Sequence, residues 1–243
     1  MTPRIFCPPP LAAGTEIDLP PAAAHHVLRV LRLQVGQVLT LFDGEGGEYR
    51  AELARTSRGV VGVRVVEHRA IERESPLTVT LVQGLAAADR MDYAVQKAVE
   101  LGAAAIMPVM GTRSVARLEG ARAARRVEHW RQIVIAACEQ SGRNRQPMVH
   151  VPCALATWLR APSRAGLRVL LAPDAAVSLG DLAPPAGAVE LLVGPEGGFT
   201  AEESIAARDA GFRPVRLGPR ILRTETAGPA MLAAMNTLWG DWR

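Results

Sequence analysis

The sequence predicts an α/β protein in which a small all-β domain precedes a larger domain built on a parallel sheet. Short strand patterns separated by turns fill the first seventy residues, and strands alternate with helices after Pro76. The polar stretch 68–76, which ends in that proline, marks the change between the two patterns. A chain of 243 residues is long enough to bury a separate core in each part. We therefore expect one domain over residues 1–72 and a second over residues 73–243.

The N-terminal part has the closely spaced strand pattern of a small β-barrel. The sequence Asp-Gly-Glu-Gly-Gly at residues 43–47 predicts a turn between two of the strands, and one helix is predicted from about Pro21 to Leu33. The predicted strands cover residues 4–7, 15–19, 38–42, 48–54 and 60–67.

The C-terminal part alternates apolar strands with helices, which is typical of a parallel sheet in an α/β domain. Gly102 is well placed to end the first of these helices. The predicted strands cover residues 77–84, 105–109, 149–151, 167–172, 189–193 and 215–217, and the predicted helices include 89–101, 121–142 and 230–239.

The composition is that of a globular protein, with 49% hydrophobic and 21% charged residues. We expect a cytoplasmic protein, because the sequence shows neither an apolar run long enough for a bilayer nor a signal-peptide pattern. Three widely spaced cysteines form no metal-binding pattern. The adjacent His25 and His26 would point to different sides of a helix, so no metal site is predicted.

The distribution of charge gives one indication of a nucleic-acid partner. The chain carries 28 basic and 24 acidic residues, a net charge of +4. Between Arg113 and Arg145 there are eight arginines and three glutamates. This local excess either faces phosphate or forms a solvated helix face, and both interpretations remain open.

Two loops rich in glycine and proline are the most informative stretches of the sequence. The segment 193–200 (VGPEGGFT) and the segment 217–229 (LGPRILRTETAGP) each follow a predicted strand and precede a helix. In open parallel sheets, ligands bind beyond the carboxyl ends of the strands. The two loops therefore predict a ligand site at one edge of the sheet.

Both loops also carry helix-capping signals. Thr200 with Glu203 predicts a capping box at the start of the helix after the first loop. Thr224 or Thr226 is expected to cap the last helix, with Pro229 in its first turn.

The motifs of several common enzyme classes are absent from the sequence. No G-x-G-x-x-G follows a strand and no Walker A lysine loop occurs, so neither a dinucleotide nor a nucleoside triphosphate site is predicted. The sequence also has no H-E-x-x-H and no paired C-x-x-C motif.

The two loops together resemble the RsmE-type 16S rRNA uracil-N3 methyltransferases, a family of the SPOUT (alpha/beta-knot) superfamily. Further matching stretches are QKAVELG at 96–102, ACEQSGR at 137–143, RIF at 4–6 and HHVLRVLR at 25–32. The resemblance covers nearly the whole chain. It implies a trefoil-knot domain that binds S-adenosylmethionine in a bent shape, preceded by a PUA-like β-barrel that binds RNA. It also implies a homodimer whose substrate is 16S rRNA within the assembled small ribosomal subunit.

The resemblance assigns roles to individual residues. Leu171 and Leu222 would flank the adenine of the cofactor, and the loop glycines would let the ligand approach the backbone. The implied cofactor-binding residues are Leu171, Gly194, Pro195, Glu196, Gly198, Leu217, Gly218, Ile221, Leu222, Thr224, Thr226 and Ala227.

The implied catalytic residues are Arg143 and Arg223, which suit stabilisation of a uracil anion, with Glu139 and Glu225 to orient them or accept the proton. For either glutamate a structural ion pair is the alternative interpretation. The implied RNA-binding residues are Arg4, Arg29 and Arg32.

Three alternatives remain open from the sequence. A ribose 2'-O or purine methyltransferase would have the same fold. A non-catalytic rRNA-binding relative would also have this fold. The apolar face of the last helix either pairs two copies of the chain or belongs to the core of one; its residues are Met231, Leu232, Met235 and Leu238.

Overall fold

The computed structural model describes residues 2–242 and divides them into two compact units. The N-terminal unit contains the described residues up to Glu74 together with Cys138–Gln146. The C-terminal unit contains Ser75–Ala137 and the described residues from Pro147 onward. A short segment from the middle of the sequence therefore belongs to the N-terminal unit.

The N-terminal unit is built on a five-stranded sheet in the order β1-β3-β4-β5-β2. Strand β1 pairs parallel with β3, and the other pairs are antiparallel. Alternate residues of β3 and β5 point into the core, as the two-residue period of a strand requires; Leu39, Leu41, Val61, Val63 and Val65 are fully buried. The strands are β1 (Arg4–Phe6), β2 (Glu16–Asp18), β3 (Val38–Phe42), β4 (Glu48–Ser57) and β5 (Val60–Arg69).

The helix predicted over residues 21–33 is shorter in the structure and changes its pitch. Helix α1 spans Pro21–His25 and continues as a π-helical turn over His26–Val30. Arg32 follows in the left-handed region, with φ of +54°. A π turn differs from an α turn by one residue in its hydrogen bonds, a difference that the hydrophobic pattern of so short a stretch does not reveal.

The C-terminal unit contains a seven-stranded parallel sheet in the order β12-β10-β11-β6-β7-β8, with β9 also paired to β7. This confirms the predicted parallel α/β sheet. Its strands are β6 (Val79–Gly84), β7 (Ala105–Met110), β8 (Met148–Val149), β9 (Cys153–Ala154), β10 (Leu167–Leu171), β11 (Val189–Val193) and β12 (Arg213–Val215). The connecting helices are α2 (Ala88–Glu100), α3 (Gly120–Ser141), α4 (Leu155–Arg160), α5 (Ala201–Asp209) and α6 (Thr224–Trp239), with a 3-10 turn at Leu179–Asp181. The end of α3, from Cys138, belongs to the N-terminal unit. None of the helices in residues 2–242 is long and apolar enough to cross a membrane.

The start of the last helix differs from the prediction. Helix α6 begins at Thr224 rather than Ala230, so Pro229 lies inside the helix and not in its first turn. Arg223 occupies the N-cap position without a side-chain cap, so neither Thr224 nor Thr226 caps the helix. Proline 229 misled the prediction because proline usually marks a helix start.

The apolar face of α6 is core within this chain. Met231, Leu232 and Met235 are at most 1% exposed, and α6 packs against α2. Leu238, the last residue of the predicted apolar face, is 44% exposed.

Candidate cofactor and active site

A pocket of about 840 Å³ opens beyond the carboxyl ends of β10 and β11. Both glycine-rich loops contribute to its wall, as does the start of α6. Helix α5 adds Ser204, Ile205 and Arg208. The pocket therefore lies where the sequence predicts a ligand site.

The first loop, 194–200, approaches the sheet so closely that side chains are excluded. A Cβ on Gly84, the last residue of β6, would lie 2.5 Å from the backbone nitrogen of Pro195. A Cβ on Gly194 would lie 3.3 Å from the Cα of Gly198, whose own φ is +65°. Glycine adopts that backbone region without strain. The loop is thus a tight turn, and its Gly194 and Gly198 line the pocket.

The helix after this loop begins with the predicted capping box. Thr200 Oγ1 accepts a hydrogen bond of 3.2 Å from the backbone of Glu203, and Glu203 Oε2 accepts one of 2.9 Å from the backbone of Thr200. Glu203 Oε1 also accepts from the backbone of Thr112 at 2.7 Å. The cap is confirmed, and it also joins α5 to the segment after β7.

The second loop, 217–223, presents glycine and apolar groups to the pocket. Gly218 has φ of +70°, and a Cβ on it would meet no atom within 4 Å. Leu171, Ile221 and Leu222 also line the pocket, and the side chain of Ile221 is 85% exposed. An apolar wall of this kind suits a flat heteroaromatic ring.

A buried amide connects the two loops. Thr224 Oγ1 donates a hydrogen bond of 2.6 Å to the carbonyl oxygen of Gly194. Gln83 Nε2, from β6, donates one of 2.8 Å to Thr224 Oγ1. Gln83 is 1% exposed, and its Oε1 has no hydrogen-bond partner within residues 2–242. Gln83 is not among the predicted site residues, because a glutamine in an apolar strand gives no motif.

Charged groups gather at one side of the pocket. Arg90 Nη1 lies 3.1 Å from Glu196 Oε1, and Arg90 Nε lies 4.0 Å from Glu225 Oε1. The other oxygen of Glu225, Oε2, is buried without a hydrogen-bond partner in the described part of the chain. Arg223 lines the pocket and is exposed, and its side chain forms no hydrogen bond or ion pair with any described residue. Its guanidinium is therefore open to a ligand.

The structure brings nearly all of the predicted cofactor residues together. Thr226 is the exception, since it is exposed and does not line the pocket. Lining residues that the sequence did not suggest include Arg90, Asp174, Ser204, Ile205 and Arg208, which lie outside the two loop motifs.

Two of the predicted catalytic residues lie in the N-terminal unit. Arg143 is 4% exposed, and its Nε donates to both carboxylate oxygens of Glu74 at 3.2 and 3.1 Å. Glu139 Oε1 accepts a hydrogen bond of 3.0 Å from the backbone of Phe6. Burial raises the pKa of the Glu139 carboxyl and outweighs that hydrogen bond. These contacts suit a structural role, and the catalytic assignment of both residues stays a prediction.

The predicted RNA-binding arginines also differ in their surroundings. Arg4 is largely buried; its Nη1 lies 2.6 Å from Glu48 Oε2, and its Nη2 donates to Asn144 Oδ1 at 2.6 Å. Arg29 and Arg32 are exposed, and neither side chain has a hydrogen-bond or ion-pair partner in the described residues. Arg29 and Arg32 are therefore the two that are free to contact phosphate.

Comparison with known proteins identifies relatives along the whole chain. Residues 73–236 match the RNA methyltransferase domain family, and residues 19–63 match the RNA methyltransferase PUA domain family. The ribosomal RNA small subunit methyltransferase E of Neisseria gonorrhoeae, whose crystal structure contains S-adenosyl methionine, is 42% identical, with a TM-score of 0.93 and full coverage of both chains.

Two further relatives are similar over most of their length. A putative methyltransferase of Legionella pneumophila, solved with bound SAM, is 37% identical, with a TM-score of 0.95 and 99% coverage of each chain. The ribosomal RNA small subunit methyltransferase E of Mycobacterium tuberculosis is 36% identical over 222 residues, which are 89% of this chain and 84% of that protein.

Proposed function

Because this chain belongs to the ribosomal RNA small subunit methyltransferase E family, we propose that it methylates N3 of one uridine in 16S rRNA. Family membership makes it an S-adenosylmethionine-dependent rRNA methyltransferase. The target base and atom are the proposal. The observation that carries it is the glycine-lined pocket with the unpaired guanidinium of Arg223 at its wall.

The residues of the pocket fit S-adenosylmethionine. A volume of about 840 Å³ is in the range of small-molecule sites. Gly194, Gly198 and Gly218 let a ligand approach the backbone, and Leu171 and Leu222 offer apolar surface to an adenine. When bound, the cofactor supplies an electrophilic methyl group on its sulfonium.

The chemistry of uracil N3 sets what the chain must provide. The base has to be unpaired, because N3 is occupied in a duplex, and its weakly acidic proton has to leave as the methyl group arrives. We assign Arg223 to the base, because a planar guanidinium can hydrogen-bond the oxygens that flank N3 and stabilise the anion. We assign Glu225 as the proton acceptor, since its buried Oε2 has no hydrogen-bond partner in residues 2–242.

We assign the rRNA-binding surface to the N-terminal unit. Arg29, in the π-helical turn at His26–Val30, and Arg32, just after it, are exposed and unpaired in the described structure. We propose the assembled small subunit in the cytoplasm as the setting, and a domain boundary near residue 72.

We also propose a homodimer. The buried side chains of α6 do not provide its interface; Leu238, at 44% exposure, and Trp242, at 48%, are apolar groups near the chain's end that a second copy would cover. Sedimentation at micromolar concentration tests the proposal, and a monomer would contradict it.

A methyl-transfer assay followed by mapping tests the activity. Small subunits lacking the modification are incubated with methyl-labelled cofactor, and the 16S rRNA is digested and analysed by mass spectrometry. We expect one 3-methyluridine, with less transfer to naked rRNA. A 2'-O-methylated ribose or a methylated purine would replace the proposed target. Cofactor binding without transfer to either substrate would indicate a non-catalytic relative.

A further inference from the structure

The Thr224 hydroxyl determines which way the side-chain amide of Gln83 is oriented. Thr224 has one hydroxyl hydrogen, which it gives to Gly194 O at 2.6 Å. Gln83 must therefore present its NH₂ group, and not its oxygen, to Thr224 Oγ1 at 2.8 Å. The same nitrogen donates to Gly84 O at 3.2 Å. Gln83 Oε1 is then left without a partner in the described chain.

The unpaired Gln83 Oε1 lowers the stability of the fold, so stability alone does not explain a glutamine at this position. A buried acceptor without a partner destabilises a fold, whereas an apolar side chain of similar shape does not. Asn236, near the other end of α6, shows the alternative. Its Nδ2 donates to Leu101 O at 2.8 Å, and its Oδ1 accepts from Ser75 Oγ at 2.7 Å. Both ends of that buried amide are satisfied.

Gln83 also lies where α6 and the first loop meet the sheet. A Cβ on Gly228 of α6 would be 3.2 Å from Leu81 Cδ1 and 3.5 Å from Gln83 Oε1, so the helix rests directly on β6. The Gln83 register partner in β11 is Val193, the residue before Gly194. The Gln83 side chain thus contacts the first residue of α6, Thr224, and through the Thr224 hydroxyl it is connected to the Gly194 carbonyl of the first loop.

We propose that Gln83 is a positioning residue for the cofactor. Its amide directs the Thr224 hydroxyl toward Gly194 and so fixes the spacing of the two loops between which the cofactor binds. Without the amide, only the hydrogen bond to Gly194 O orients the hydroxyl, and the two walls of the pocket are held together less firmly. The inference rests on the proposed use of this pocket for S-adenosylmethionine.

The test compares cofactor affinity with stability in Gln83→Leu and in the more flexible Gln83→Met. Both remove the donors and also the unpaired oxygen. We expect melting temperatures equal to or above that of the unchanged protein, with S-adenosylmethionine affinity by calorimetry about tenfold weaker, as expected when one hydrogen bond is removed. Thr224→Val should weaken affinity similarly, and the Gln83→Leu, Thr224→Val double variant should be no weaker than either single one.

Asn236→Leu is the matched control. It removes two hydrogen bonds of a fully satisfied buried amide, those with Leu101 O and Ser75 Oγ, and relieves no unpaired atom, so we expect a lower melting temperature and unchanged affinity of the folded protein. Unchanged affinity in Gln83→Leu and Gln83→Met would overturn the positioning role, as would a joint loss of affinity and melting temperature. If Gly218→Val leaves affinity unchanged as well, the pocket assignment itself is wrong.

Discussion

The two arginines predicted to act on the base are in opposite environments. Arg223 is exposed at the pocket wall with no side-chain partner in the described chain, whereas Arg143 is 4% exposed and bonded to Glu74. A guanidinium that is already paired and buried stabilises the unit that contains it. One that is open to a ligand can act on that ligand. The same substitution at the two positions should therefore have different effects.

Arg223→Ala should lower the single-turnover rate about 100-fold or more, because it removes the group assigned to the uracil anion. Its cofactor affinity should stay nearly unchanged. Arg143→Ala should instead lower the free energy of unfolding by about 3 kcal/mol, because Glu74 is left without its buried partner. Rapid-quench methyl transfer and chemical denaturation measure the two effects. A proportional loss of rate and cofactor binding in Arg223→Ala would reassign that residue to holding the cofactor.

Two carboxyls of the N-terminal unit, the buried Glu48 and the half-buried Glu139, should contribute to stability with opposite dependence on pH. Burial disfavours ionisation of Glu48, but hydrogen bonds from Arg73 and Arg4 outweigh it and hold its pKa below the usual 4.5. Its stabilising contribution is therefore present above about pH 4.5 and lost as pH falls through the lower pKa. Burial raises the pKa of Glu139 above 4.5. Its contribution is present below about pH 4.5 and lost as pH rises through the raised pKa.

Glutamine substitutions at these positions test that assignment. Glu48→Gln should lower the free energy of unfolding at pH 7 and flatten its fall in acid. Glu139→Gln keeps an oxygen for the Phe6 N–H and should raise stability at pH 7, because no charge is then buried. Denaturation from about pH 3 to pH 8 measures both. A Glu139→Gln variant that is stable but inactive would support the predicted catalytic role of Glu139.

At the scale of elements, the loop 217–223 contains a glycine, Gly218, that both its backbone conformation and the pocket require. Gly218 and Gly211 both have positive φ, at +70° and +90°, and a Cβ on either would meet nothing closer than 4 Å. Gly211 does not line the pocket. Valine at either position adds the same backbone strain, so the pair separates strain from ligand exclusion.

Gly218→Val should abolish measurable S-adenosylmethionine binding, because the side chain would project into the space the ligand needs. Gly211→Val should lose a similar amount of stability and keep its affinity. Calorimetric titration with a thermal melt of each variant checks this. Equal affinity in the two variants would remove the second loop from the cofactor site.

The elements were predictable from sequence where the signal is local. The capping box of Thr200 and Glu203 needs only four residues, and the alternation of strands and helices needs only short windows. The partners of Arg4 and Arg143 were not predictable. Arg4 meets Asn144 across 140 residues and Arg143 meets Glu74 across 69, and no local pattern encodes such pairs. For the same reason Gln83, which meets Thr224 across 141 residues, gave no signal.

At the scale of the whole molecule, the arginine-rich stretch 113–145 separates into paired and unpaired groups. Arg126 lies 2.9 Å from an Asp92 oxygen, and Arg143 is bonded to Glu74. The unpaired members within the described chain are exposed and border one shallow cavity of the C-terminal unit; they are Arg117, Arg122 and Arg125. Both units therefore present free guanidinium groups, and their contributions to rRNA binding can be measured separately.

Charge reversal in each unit tests where the rRNA is held. Arg29→Glu with Arg32→Glu should weaken small-subunit binding most, and should reduce the salt dependence by about 0.7–0.9 in log–log slope for each phosphate that is no longer neutralised. Arg122→Glu with Arg125→Glu measures the share of the C-terminal unit. Arg160→Glu with Arg164→Glu is the control, since both arginines are exposed and unpaired in the described residues and lie outside the two sets. Cofactor affinity should be unchanged in all three. If the control weakens binding as much as Arg29→Glu with Arg32→Glu, net charge rather than a defined surface holds the rRNA.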